Sequence, residues 1–154
     1  MLWGALRDMR VAPLNIKQPR RPQEMYRATT RNIEVQVTPR FMSERSSPEN
    51  SYYFWAYTIE ITNHGSRKVQ LKTRHWKITD ANGRLQEVRG PGVVGETPVL
   101  APGESFEYTS GVPLPTPSGF MTGTYGMVTT DGEGFDIQIP AFSLDSVQGK
   151  RTIN

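Results

Sequence analysis

From Asn32 onward, apolar and polar residues alternate with a period of two, the pattern of half-buried strands. Ile33, Val35 and Val37 alternate with Asn32, Glu34 and Gln36. Residues 41–51 are polar and hold Ser46-Ser47-Pro48-Glu49-Asn50, which predicts a loop. From Tyr52 to Asn63 the pattern predicts a long strand, with Tyr53, Trp55, Tyr57, Ile59 and Ile61 on one face. Asn63-His64-Gly65-Ser66 is turn chemistry. A second long strand runs from Val69 to Asp80, and Asn82-Gly83 after it signals a type I′ hairpin into a short strand from Leu85 to Arg89.

Residues 90–103 are rich in Gly and Pro and predict a long ordered loop. Inside it, Ala101-Pro102-Gly103-Glu104 places Pro and Gly where a type II turn needs them. Phe106 and Tyr108 alternate with polar neighbours as another strand. Residues 112–118 carry three prolines and predict a connection. Phe120 to Thr130 is a strand interrupted by Gly123 and Gly126. Asp131-Gly132-Glu133-Gly134 then turns the chain into a last strand, with Phe135, Ile137 and Ile139 inward. Seven or eight strands joined by short turns predict an all-β, antiparallel sandwich of the immunoglobulin or fibronectin type III kind. A small closed barrel is the structural alternative.

Composition narrows the chemistry. Cys is zero, which excludes disulfides, thiolate metal sites and a Cys nucleophile. No apolar run approaches 18 residues, so no membrane insertion is expected. The net charge of +3 belongs to the first 24 residues. Arg7, Arg10, Lys17, Arg20 and Arg21 stand there against Asp8 and Glu24. The other 130 residues balance 13 basic against 13 acidic side chains (18 less 5 and 15 less 2). Nucleic-acid binding is therefore not expected of the body. Residues 1–24 lack the architecture of a secretory signal. They predict a disordered basic extension or an upstream start, with Met25 as the true start and residues 25–154 as the domain. A cytoplasmic location is expected.

Catalytic constellations are poor. No Gly-x-Ser-x-Gly elbow exists, and the two histidines, His64 and His75, are far apart along one hairpin. His64 predicts a solvated turn residue. Asp131, Glu133 and Asp136 resemble a truncated oxygen-ligand loop without its distal bidentate Glu. No metal site and no dedicated cofactor are expected beyond weak Mg²⁺ or Co²⁺ binding.

Gly90-Pro91-Gly92-Val93-Val94-Gly95 matches Gly-x-Gly-x-x-Gly, but Pro98, Pro102 and Gly103 prevent the helix that a dinucleotide fold places after it. Two readings stay open. The amides of Gly90, Gly92 and Gly95 form an anion-binding nest with Arg89, or the loop packs Val93 and Val94 over a sheet edge. Arg74 and Trp76 share one face of their strand and His75 the other. Trp76 either fills the core or joins Arg74 in a recognition surface. Tyr52 and Phe54 face away from the Tyr53–Ile61 stripe, so either a loop covers them or they form a partner patch. The candidate interaction surface is thus Tyr52, Phe54, Arg74, His75 and Trp76.

Three runs of sequence resemble the ApaG family: Thr73-Arg74-His75-Trp76-Lys77-Ile78-Thr79-Asp80-Ala81-Asn82-Gly83, then Val88 to Leu100 around the glycines, then Pro102-Gly103-Glu104-Ser105-Phe106-Glu107-Tyr108-Thr109-Ser110-Gly111. The resemblance spans residues 25 to about 143. It implies a fibronectin type III-like sandwich. It also implies a link to cobalt and magnesium resistance, indirect in a chain without a spanning segment. Genes of the family neighbour a diadenosine tetraphosphate hydrolase, and eukaryotic relatives append the domain to F-box and polymerase-interacting proteins as an interaction module. The family supplies no agreed catalytic residue. The expected function is a non-enzymatic binding module for an unidentified protein partner. The alternative is a phosphate, pyrophosphate or dinucleoside polyphosphate sensor or hydrolase built on the Gly-rich loop.

Overall fold

A computed structural model of the chain describes residues 24–146, so the expectations for residues 1–23 and 147–154 lie outside the described residues. Nine strands follow one another: β1 (Tyr26–Thr30), β2 (Ile33–Phe41), β3 (Tyr53–Asn63), β4 (Val69–Asp80), β5 (Leu85–Pro91), β6 (Val99–Leu100), β7 (Ser105–Leu114), β8 (Ser118–Thr129) and β9 (Gly134–Asp145). Every pairing is antiparallel. The first sheet has the order β1-β2-β3-β7 and the second β5-β4-β8-β9, with β6 also on β4. Without β1 and β6, these orders are the A-B-E and C′-C-F-G arrangement of immunoglobulin-type sandwiches.

The core lies between the sheets and is centred on aromatic rings from both. Tyr57 of β3 meets Trp76 of β4 edge-on at 5.4 Å, and Trp76 touches Tyr125 at 6.3 Å and Phe142 at 6.1 Å. Each such ring removed from water is worth about 2–3 kcal/mol, so this cluster dominates the cohesion of the two layers. The Tyr53–Ile61 stripe faces it as expected: Trp55, Tyr57, Ile59 and Ile61 are fully buried.

The turns depart from expectation in detail. Asn82-Gly83 is not a type I′ pair, because only Gly83 has positive φ, +84°. The Gly83 amide bonds the Asp80 carbonyl, and the Asp80 Oδ1 accepts the amides of Asn82 and Arg84. This is a type I turn closed by a left-handed glycine, selected by the Asp80 carboxylate. Paired left-handed residues occur instead at Arg31-Asn32, which joins β1 to β2, and at Val94-Gly95. Asn32 is therefore a turn residue rather than the start of a strand. The type II turn forms at Ala101–Glu104, with Gly103 at φ +88° and the Glu104 amide on the Ala101 carbonyl. Residues 112–114 continue β7 rather than connecting it onward. β7 is a sheet edge, where Pro113 costs no ladder bond.

Candidate functional site

The alternation of β4 decides what lies above and below the second sheet. Trp76 and Arg74 point inward, where Trp76 is 1% and Arg74 5% exposed. The recognition surface expected from these two side chains does not form. Phe54 is also buried, at 3%, in a small cluster with Met42 and Ala56 against which Tyr52 packs. Residues 42–51 fold over that cluster through two 3₁₀ turns, Ser43–Arg45 and Pro48–Asn50. The Ser46 hydroxyl anchors the cover by accepting the Phe54 amide. The spare aromatics of β3 thus form a second core under a loop. Of the five candidates, His75 and Tyr52 retain partial access to solvent.

Arg74 has no carboxylate partner among the described residues. Its Nη1 donates to the carbonyl of Pro91 at 2.7 Å and to that of Gly92 at 2.9 Å, and its Nη2 is buried without a partner. The positive charge reaches Tyr57, Tyr108 and Tyr125, and holds their hydroxyls down somewhat against the much larger upward push of burial. Tyr108 and Tyr125 share a hydrogen bond of 2.5 Å across the two sheets. Gly90 lies directly opposite Arg74, and a Cβ there would sit 2.8 Å from Nη2. At the first glycine of the motif the Arg74 guanidinium occupies the space a side chain would need.

The rest of the Gly-rich segment is a tight hairpin. The Gly92 amide bonds the Lys72 carbonyl, and Val93 and Glu96 exchange amide–carbonyl bonds at 2.8 Å. Val93 and Val94 are buried in the main core, so the packing reading of this segment holds. Gly90 and Pro91 belong to β5 rather than to a loop. Of the three expected nest amides, that of Gly92 is already used, as are the neighbouring Val93 and Glu96 amides, and Arg89 stands on the opposite face of β5 from Gly90. The arginine beneath the loop is Arg74; the β4–β5 register, Arg74 opposite Gly90, was the missing signal.

On the solvent face of the second sheet, His75 Nε2 lies 2.8 Å from Glu87 Oε1, and Arg89 Nη2 lies 3.3 Å from the same oxygen. The His75 bond first, then Arg89, holds the Glu87 carboxyl below its ordinary range. His64 is a half-exposed turn residue tied to Glu34 at 2.8 Å, again lowering the carboxylate. Each histidine has its own glutamate, and the two do not converge. Among the described residues no group of three or more His, Cys, Asp or Glu side chains could hold a metal ion. At the Asp131–Glu133 tip, Arg67 bonds both Asp131 oxygens at 3.0 and 3.1 Å and Arg31 reaches Glu133 at 3.3 Å, so cations of the chain already occupy that carboxylate pair.

Further along the same solvent face lies an apolar row that the sequence reading did not single out. Thr79 of β4 pairs with Leu85 of β5 on one side and with Phe120 of β8 on the other. Leu85 is 54% and Phe120 46% exposed. Lys77 and Thr122 form the next row. Arg84 precedes Leu85 in the turn.

Comparison with known proteins gives a consistent assignment. Residues 43–129 match the ApaG domain (DUF525) family model. Protein ApaG of Rhodopseudomonas palustris strain TIE-1 is 68% identical over 130 residues, covering 84% of this chain and all of that protein. Protein ApaG of Rhodospirillum centenum is 62% identical over the same length and coverage. The crystal structure of a Bordetella pertussis protein described as ApaA superposes with a TM-score of 0.72 at 49% identity, covering 84% of this chain and 99% of that one. The three motifs, the sandwich topology and these relatives agree: the chain belongs to the ApaG family.

Proposed function

We propose that this chain is a non-enzymatic binding module that docks a protein partner on the solvent face of its second sheet. The observation that carries the reading is the Leu85–Thr79–Phe120 row. Large apolar side chains left half in water, side by side on a regular sheet, are what a protein surface keeps for contact. The rigid support beneath the row also favours it. Arg74, Trp76 and the Val93–Glu96 hairpin hold β4 and β5 in one geometry, and a preformed surface lowers the entropic cost of association. The link to cobalt and magnesium resistance is, on this reading, indirect and runs through the partner, and the location is cytoplasmic. No described helix is long and apolar enough to cross a membrane. A phosphate-binding sensor or hydrolase on the Gly-rich segment draws less support, because the Gly92, Val93 and Glu96 amides are bonded within the fold.

The test is a double variant, Leu85→Lys with Phe120→Lys, introduced into a strain that lacks the gene. Both side chains are exposed, so the melting temperature should stay within a few degrees of wild type. The variant is expected to restore cobalt and magnesium tolerance no better than an empty vector. Full restoration by the folded variant rejects the docking face.

A further inference from the structure

We infer that the partner presents an acidic amphipathic helix to the Leu85–Thr79–Phe120 row. This inference rests on the docking reading above and adds the chemistry of what docks. Leu85 and Phe120 stand on strands that flank β4, two strand spacings apart, or about 10 Å. Apolar side chains that recur about 10 Å apart on one face of a segment are those at i and i+7 of a helix. The smaller Thr79 lies between the two anchors and leaves a saddle for the side chain at i+3 or i+4. An extended segment repeats its same-face side chains at about 6.6 or 13 Å and fits the pair poorly.

Charge selects among helices. Lys77 and Arg84 border the row, are exposed, and form no ion pair with a described residue. The acid of the adjoining row, Glu87, lies opposite Lys77 but makes its ion pairs with His75 and Arg89 instead. The row thus offers two apolar anchors and two uncommitted cations, the complement of a helix with an apolar stripe flanked by Asp or Glu. Nucleic acid is the poorer match. Its backbone needs many cations and has no use for half-exposed Leu85 and Phe120. The body of the chain also balances its charges.

The experiment places a photocrosslinking amino acid at position 120 of the full chain in the native host. The crosslinked peptide is identified by mass spectrometry. A second probe at position 107, exposed on the other sheet, serves as the reference face. The expected product from position 120 is a peptide of net negative charge with apolar residues at i, i+3 or i+4, and i+7. Its yield should fall at least tenfold when Lys77→Glu and Arg84→Glu are combined. A basic or neutral peptide, a second copy of this chain, or a yield indifferent to the charge reversal overturns the acidic-helix inference and leaves the docking face standing, whereas a nucleic acid overturns both. Crosslinks from position 107 alone, or from neither position, overturn both.

Discussion

Two glycine-bearing hairpins offered chemistry in the sequence, and they are held in opposite ways. The Val93–Glu96 hairpin is fastened from inside. A buried guanidinium bonds the Pro91 and Gly92 carbonyls, and two valines are driven into the core. Val94 even accepts φ +41°, unfavourable for a β-branched residue, because its side chain is buried. The Asp131–Glu133 hairpin is fastened from outside. Exposed arginines meet exposed carboxylates, and Gly132 at φ +93° closes a turn like that at Gly83. Water and salt compete for the second set of bonds and not for the first, so equal numbers of contacts carry very different weight.

The sharpest break of that contrast is Arg74→Ala. It leaves a buried carbonyl, that of Gly92, and a partly buried one, that of Pro91, without their donor and opens a cavity among Tyr57, Tyr108 and Tyr125. A loss of about 3 kcal/mol and a fall in Tm of roughly 10 °C are expected. Amide exchange should accelerate first at Gly92 to Glu96. Unchanged stability would mean that the cost of burying the cation cancels its bonds.

Gly90→Ala comes next, at about 2 kcal/mol, since its Cβ would press on a guanidinium that carbonyls hold in place. The two changes should be strongly non-additive. In an Arg74→Ala background, Gly90→Ala is expected to cost under about 0.5 kcal/mol, which a double-mutant cycle by denaturant unfolding reads directly.

On the outer hairpin, Arg67→Ala should cost no more than about 0.5 kcal/mol. The difference from wild type should vanish in about 1 M salt, where the screening length is near 3 Å. A larger or salt-independent loss would erase the distinction between the two hairpins.

Smallest is the acid response. The Thr129 hydroxyl first, then the Asp131 backbone amide and Arg67, depresses the Asp131 carboxyl, and His75, then Arg89, depresses Glu87. A carboxylate depressed in the folded state adds stability above its unfolded value. That contribution fades as pH falls through the folded value. The carboxyl resonances of Asp131 and Glu87 should therefore titrate below 3.8 and 4.5 respectively. Arg67→Ala should move Asp131 upward and leave Glu87 in place.

How much of this was legible beforehand follows from the range of each interaction. Burial by alternation is local, so β3, β4 and the inward stripe from Tyr53 to Ile61 could be read from residue order. β1 could not. Its five residues show only a partly buried alternation, and it exists because it pairs with β2 through the Arg31-Asn32 turn. The engagement of the Gly92 amide, one of the three expected in a nest, was hidden for the same reason. Whether an amide is free depends on a carbonyl elsewhere, here that of Lys72 or across the hairpin.

The order of apolar and polar residues and the turn formers by themselves determined an antiparallel all-β fold, because periodicity and turn chemistry act over a few residues, and the three motifs carried the family resemblance. Only the tertiary structure decided that Arg74 lies beneath Gly90, that residues 42–51 seal Phe54, and that Leu85 and Phe120 flank Thr79 on one face. Those neighbours are set by strand register, which brings together residues far apart in the chain and is written in no single segment of it.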